Sequence, residues 1–194
     1  MKKVLVISPH MDDAEYAMGG TLLRHRDFGD EITLAVTHAD DNLAGDVSVR
    51  MEEQKESSLI LKTKRIIYFD KKVSIEERVS VLDKTEPDII YFPFEKDPHH
   101  HHVEASNLGL SVSRNFNISV FKYITQRSYD YFPNYYQGID IVEKIRLVSV
   151  FKSQNGRQPK FIEIMEAQNR FFGSLIPGNG HYAEGFVLFR QVQI

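Results

Sequence analysis

The sequence predicts an α/β fold: a Rossmann-like, mostly parallel sheet flanked by helices, with a small C-terminal β-containing extension. Three observations predict it. Short β-branched runs alternate with longer helix-period segments from residue 3 to residue 123. Turn-forming residues such as Gly29-Asp30 and Pro87 separate helical segments from the strands that follow. Beyond residue 123 the alternation gives way to aromatic residues, two further helical patterns and one extended run. Strand-helix repetition of this kind places helices on the faces of a parallel sheet.

Strands are expected at residues 3–8, 31–37, 65–69, 88–92 and 119–123, with helices at 16–28, 49–61, 75–85 and 103–115. The segments 129–132 and 133–136, rich in Tyr and Phe, are expected as short strands and loops beside the main sheet. Helices at 141–151 and 161–172 and an extended run at 182–192 complete the chain. No composition break divides it, so one domain spanning residues 1–194 is expected.

The chain is 42% hydrophobic and 26% charged, as in globular proteins, and its formal charge of -3 gives no general attraction to nucleic acid or anionic membrane. No nucleic-acid partner and no membrane insertion are therefore expected. The apolar start, residues 4–7, is one strand long and is followed by His10 and two aspartates, which argues against a targeting segment. Cysteine is absent, excluding disulfides, iron–sulfur clusters and thiolate zinc sites. A cytoplasmic location is the simplest expectation. Exposed sheet edges and aromatic segments leave room for a homo-oligomer.

Chemistry concentrates at two strand ends. His10, Asp12 and Asp13 follow the first strand, and four consecutive histidines, His99 to His102, follow the fourth through Asp97-Pro98. Imidazole and carboxylate suit zinc or ferrous iron. In an open α/β sheet, loops at the carboxyl ends of strands collect around one cleft, so the two clusters can meet.

The segment Ser8-Pro9-His10-Met11-Asp12-Asp13-Ala14-Glu15 resembles the PHPDDxE signature of the LmbE-like, or PIG-L, metal-dependent deacetylases, with Met11 in place of the second proline. The histidine run resembles the family's His-Pro-Asp-His. Arg50-Met51-Glu52-Glu53, Ser153-Gln154 and Tyr182-Ala183-Glu184-Gly185-Phe186 resemble further segments in the family's order. The resemblance implies His10, Asp13 and His102 as ligands of one divalent metal, zinc first and Fe2+ second. It implies Asp12 as general base and His99 as the group facing the reacting carbonyl. His101, counted among the supporting residues, stands where the family carries an aspartate that orients a histidine; the alternatives are weaker catalysis, an altered metal preference, or transfer of the supporting role to Glu104 or a backbone oxygen.

Arg50 and Tyr182 are the expected substrate contacts, with a surface ion pair to Glu52 or Glu53 as Arg50's other reading. Glu184 is expected to support a ligand histidine or a site loop. The aromatic segment 132–136 is a candidate cleft wall against sugar C–H surfaces. His25, among Arg24, Arg26 and Asp27, reads as a solvated residue, and His181 as a surface residue with substrate binding as its other reading. The function implied is hydrolysis of an N-acetyl or related N-acyl group from an amino sugar or small glycoconjugate. A metal-binding scaffold without efficient catalysis is the alternative. A nucleotide-binding protein ranks third, because no GxGxxG loop follows the first strand.

Overall fold

The computed structural model describes residues 1–43, 45–114, 117–157, 160–178 and 181–192. The strands β1 (Lys3–Ser8), β2 (Glu31–Val36), β3 (Arg65–Tyr68), β4 (Ile89–Pro93) and β5 (Ser119–Tyr123) are parallel, each paired in the order β3-β2-β1-β4-β5. Helices α1 (Asp13–Asp27), α2 (Val47–Leu61), α3 (Ile75–Asp83) and α4 (His100–Val112) connect them. The alternation expected from the sequence is thus the observed architecture.

Period-two patterning explains why both sheet faces are dry. Val4 and Val6 of β1 join one apolar cluster with Met18, Leu22, Tyr91 and Leu147, while Leu5 and Ile7 join another with Phe92, Leu108 and Val112. Gly109 of α4 belongs to the second layer for a steric reason: a Cβ there would stand 2.2 Å from Phe92 Cγ.

After β5, β6 (Tyr135–Gly138) and β7 (Ala183–Arg190) extend the same sheet, β7 antiparallel to both β5 and β6. Helices α5 (Ile141–Val148), α6 (Lys152–Asn155) and α7 (Phe161–Ser174) lie between those two strands in the chain. The helix expected at 141–151 ends at Val148, and the short α6 that follows it is not among the expected elements. The expected end of the 103–115 helix, Asn115, and Asn179-Gly180 before the last strand fall outside the described residues.

Two differences from the sequence expectation set up the site. Helix α1 starts at Asp13 rather than residue 16, and α4 starts at His100 rather than residue 103. The second shift follows from capping: His99 adopts an extended backbone and its Nδ1 accepts the His101 N–H at 3.3 Å. Three histidines therefore form the first turn of a helix, which fixes their directions. Helix α1 is also broken, with Met18 at φ -139° and ψ 25°. The backbone N–H groups of Gly20 and Thr21, freed by the break, donate to Glu184 of β7 at 2.8 and 2.7 Å.

A candidate metal centre at the sheet's switch point

Strand order reverses between β1 and β4: from β1 the chain builds outward to β2 and β3, and from β4 to β5 on the other side. The crevice beyond these two carboxyl ends is the place where open α/β sheets bind ligands. The loop after β1 brings His10, Asp12 and Asp13 there, and the segment after β4 brings the histidine run. A cavity of about 370 Å³ lies above them, lined also by Tyr16, Asp41, Arg50, Thr125, Gln154 and Phe161.

Asp13 Oδ2 stands 3.0 Å from His10 Nδ1 and 3.4 Å from His102 Nε2. Tetrahedral donors about 2.0–2.1 Å from zinc lie roughly 3.3–3.4 Å from one another, so this spacing is that of ligands around a common cation. Orientation agrees. His102 Nδ1 donates to Asp97 Oδ2 at 2.8 Å, leaving Nε2 as the free donor atom. Asp97 is itself held by Thr125 Oγ1 and by the His99 N–H, the latter at 2.8 Å. The residues present fit a divalent cation.

The electrostatics follow from this crowding. Burial favours the neutral form of Asp13, but His102 and His10 outweigh it and hold its carboxyl well below the ordinary range. Burial disfavours charge on His102, yet Asp13 and Asp97 raise its pKa to about 10. His101 moves the other way, to about 4, through burial and the neighbouring imidazoles His38 and His10. A cation arriving at His102 therefore displaces a proton.

Asp12 is different in kind from its neighbour. Its backbone has φ 110° and ψ -30°, a strained conformation for a residue other than glycine. Although it sits at the N-cap of α1, its side chain makes no capping bond there, and it lines the cavity instead. Burial, reinforced by Asp13, pushes its pKa well above the usual carboxylate value. Arg50 Nη2 lies 3.8 Å from its Oδ1.

Residues 5–113, which contain both loops, match the family described as PIG-L: GlcNAc-PI de-N-acetylase. The chain belongs to the PIG-L family. It is 30% identical to a diacetylchitobiose deacetylase of Thermococcus kodakarensis over 95% of this chain and 82% of that protein. A conserved protein of Thermus thermophilus superposes with a TM-score of 0.83 at 25% identity, covering 100% of this chain and 97% of the other. The N,N'-diacetylchitobiose deacetylase of Pyrococcus horikoshii, solved with an inhibitor, gives 0.77 at 25% identity over 97% and 84% of the two chains. Membership of the PIG-L family and the donor geometry together support hydrolysis of the deacetylase type.

Within this PIG-L site, several residues stand elsewhere than the sequence suggests. The carboxylate that orients His102 is Asp97, not Glu104. Glu104, with a side chain 56% exposed, pairs with His38 Nε2 at 3.0 Å. The signal was present, because Asp97-Pro98 directly precedes the run, but a carboxylate five residues before a ligand is legible only when the turn is known. His101 does not contact Asp97; its Nδ1 lies 2.8 Å from His10 Nε2.

Arg50 is no surface ion pair. It is 1% exposed, and its guanidinium donates to the carbonyls of Met11 at 3.2 Å and Asp41 at 3.3 Å, tying two site loops together. Glu53 instead accepts from Ser153 N and Oγ, at 2.8 and 2.6 Å, which positions the Ser153-Gln154 segment. Glu15 accepts from Gln54 and Ser57, both at 2.6 Å, and joins α1 to α2.

Tyr182 does not line the cavity; its hydroxyl meets Glu166 and Arg170 at 2.9 and 2.6 Å. Glu184 touches no histidine. It is fully buried against Lys144 Nζ at 2.7 Å and braces the broken middle of α1, so its support is to the helix that begins at Asp13. The aromatic segment at 132–136 also stays out of the cavity: Tyr135 packs on Phe121 and Phe186, and Phe132 is exposed. The aromatic wall is Tyr16 against Phe161, with ring centroids 4.4 Å apart. His25 is not solvated, since its ring bridges Asp30 at 2.8 Å and Tyr91 at 3.0 Å. His181 is exposed, as the sequence suggests.

Proposed function

We propose that this protein hydrolyses the N-acetyl or related N-acyl amide of an amino sugar or small glycoconjugate, releasing a carboxylate and a free amine. The observation that carries the reading is the division of labour between adjacent carboxylates. Asp13 belongs to the donor triad with His10 and His102, while Asp12 is turned by a strained backbone into the cavity beside it. Family membership and the two deacetylase relatives support the choice of an acetylated amino sugar.

A divalent cation at the triad, zinc in the first instance and ferrous iron in the second, would polarise the amide carbonyl and acidify water. Asp12 accepts the proton of the attacking water at a carboxyl oxygen and delivers it to the departing nitrogen. His99 lines the same cavity, and because its Nδ1 accepts the His101 N–H, its ring proton sits on Nε2. That N–H donates to the carbonyl oxygen as negative charge develops there. Tyr16 and Phe161 give a ring surface for sugar C–H groups. Arg50 acts on substrate through the loops it ties together.

The test is acetate release from N-acetylglucosamine compounds by protein reconstituted anaerobically with Zn2+ or Fe2+, with products identified by mass. Asp12→Asn is expected to keep its metal and lose about 10²–10⁴-fold in turnover, the usual share of a general base. Metal binding without turnover across a broad panel of N-acyl amines would leave the protein a metal-binding scaffold.

A further inference from the structure

His10 presents its two ring nitrogens to two different groups of ligands. Nδ1 faces the triad already described. Nε2 lies 2.8 Å from His101 Nδ1 and 3.4 Å from Asp41 Oδ2, and that Asp41 oxygen is 3.8 Å from His101 Nδ1. His99 completes a group of three imidazoles, His10, His99 and His101, whose donor atoms all lie within 4.8 Å of one another. The Asp41 side chain is only 10% exposed, so this corner is sheltered as well as crowded with donors.

We propose that His10, His99, His101 and Asp41 form a second cation position that competes with the first for the ring of His10. A neutral imidazole has one lone pair to give, so His10 ligates on one side while its other nitrogen carries a proton. When Nδ1 ligates, the Nε2–H donates toward His101 and Asp41. When Nε2 ligates, the Nδ1–H donates to Asp13 Oδ2, already 3.0 Å away. Each arrangement supplies the carboxylate support that a ligating histidine needs. Ligation through His99 Nδ1 gives up the 3.3 Å capping contact from the His101 N–H.

The two positions differ in chemistry. The first offers two imidazoles and a carboxylate, and the second offers three imidazoles and a carboxylate. Nitrogen-rich sites favour the metals late in the first row, Cu2+ above all. The second position therefore captures Cu2+, and in doing so withdraws His10 from the triad that holds Asp13 and His102. On the proposed hydrolytic reading, the quadruple histidine run gives this chain a built-in route to inactivation by excess late transition metal. His101 is the residue that creates it.

Cu2+ added to metal-free protein tests this, read by competition with a chelator and by pulsed EPR, which counts coordinated imidazoles. One equivalent with three imidazoles is expected. His101→Gln is expected to remove one imidazole and weaken Cu2+ binding at least about 10-fold. Asp13→Asn, whose amide oxygen still accepts from His10 but no longer carries charge, is expected to leave the imidazole count unchanged and to weaken Cu2+ binding less than His101→Gln does. The opposite pattern, with the spectrum indifferent to His101→Gln and Cu2+ lost in Asp13→Asn, overturns the proposal. So does simultaneous binding of two ions. Circular dichroism of both variants separates lost ligands from lost structure.

Discussion

Asp97→Asn isolates the part played by a single carboxylate in the metal centre. Asp97 receives His102 Nδ1–H at 2.8 Å through Oδ2 and the His99 N–H at 2.8 Å through Oδ1. An asparagine keeps one oxygen. If that oxygen stays with His99, its NH2 faces the Nδ1–H of His102, and two donors oppose each other. Relief requires the other tautomer of His102, which places the proton on Nε2, the atom the cation needs. Loss of such an orienting partner costs about 10–100-fold in metal affinity, or about 1.4–2.8 kcal/mol. Chelator competition for Zn2+ measures it, with Glu104→Gln as the comparison expected to leave affinity unchanged. Turnover in Asp97→Asn should be largely restored by saturating metal, since Asp12 is untouched. Equal Zn2+ affinity in Asp97→Asn and the parent protein, or a larger loss in Glu104→Gln, would refute the reasoning.

The buried pair of Lys144 and Glu184 gives a stability prediction: Glu184→Gln strands an ammonium in the core and should cost about 3–5 kcal/mol in urea unfolding. Lys144→Met added to it should recover part, and a single-variant loss below about 1 kcal/mol would count against the pair. Burial holds the His25 pKa below its ordinary value despite Asp30. Below about pH 6.5 the unfolded chain therefore takes up the proton first, and stability falls with pH down to the folded value. His25→Gln should flatten the change in urea midpoint between about pH 7 and about pH 5.5, and an unchanged slope would exclude His25 as its source. Gly109→Ala should destabilise by about 1–3 kcal/mol through its clash with Phe92, outweighing the gain in helix propensity of about 1 kcal/mol, whereas a thermal midpoint at or above the parent's would show that Phe92 moves aside.

Whatever is written locally along the chain was legible without coordinates. Alternating β-branched runs and helix-period segments specified the parallel sheet, because periods of 2 and 3.6 residues decide which side chains a neighbouring layer can bury. The residue types at His10, Asp12, Asp13 and His102 specified a cation-binding chemistry, because few side chains offer those donor atoms. Packing in three dimensions chose which groups serve them. Asp97 rather than Glu104 orients His102, since a helix starting at His100 turns Glu104 away toward His38. Arg50 ties loops instead of pairing at the surface, since α2 packs against α1 and delivers its guanidinium to the Met11 and Asp41 carbonyls. Tyr182 and the 132–136 aromatics fall outside the cavity, and Glu184 reaches α1 from β7, 164 residues away in the chain. Such pairings are fixed by strand order and by the burial of charges that must find partners, and neither leaves a periodic mark on the sequence.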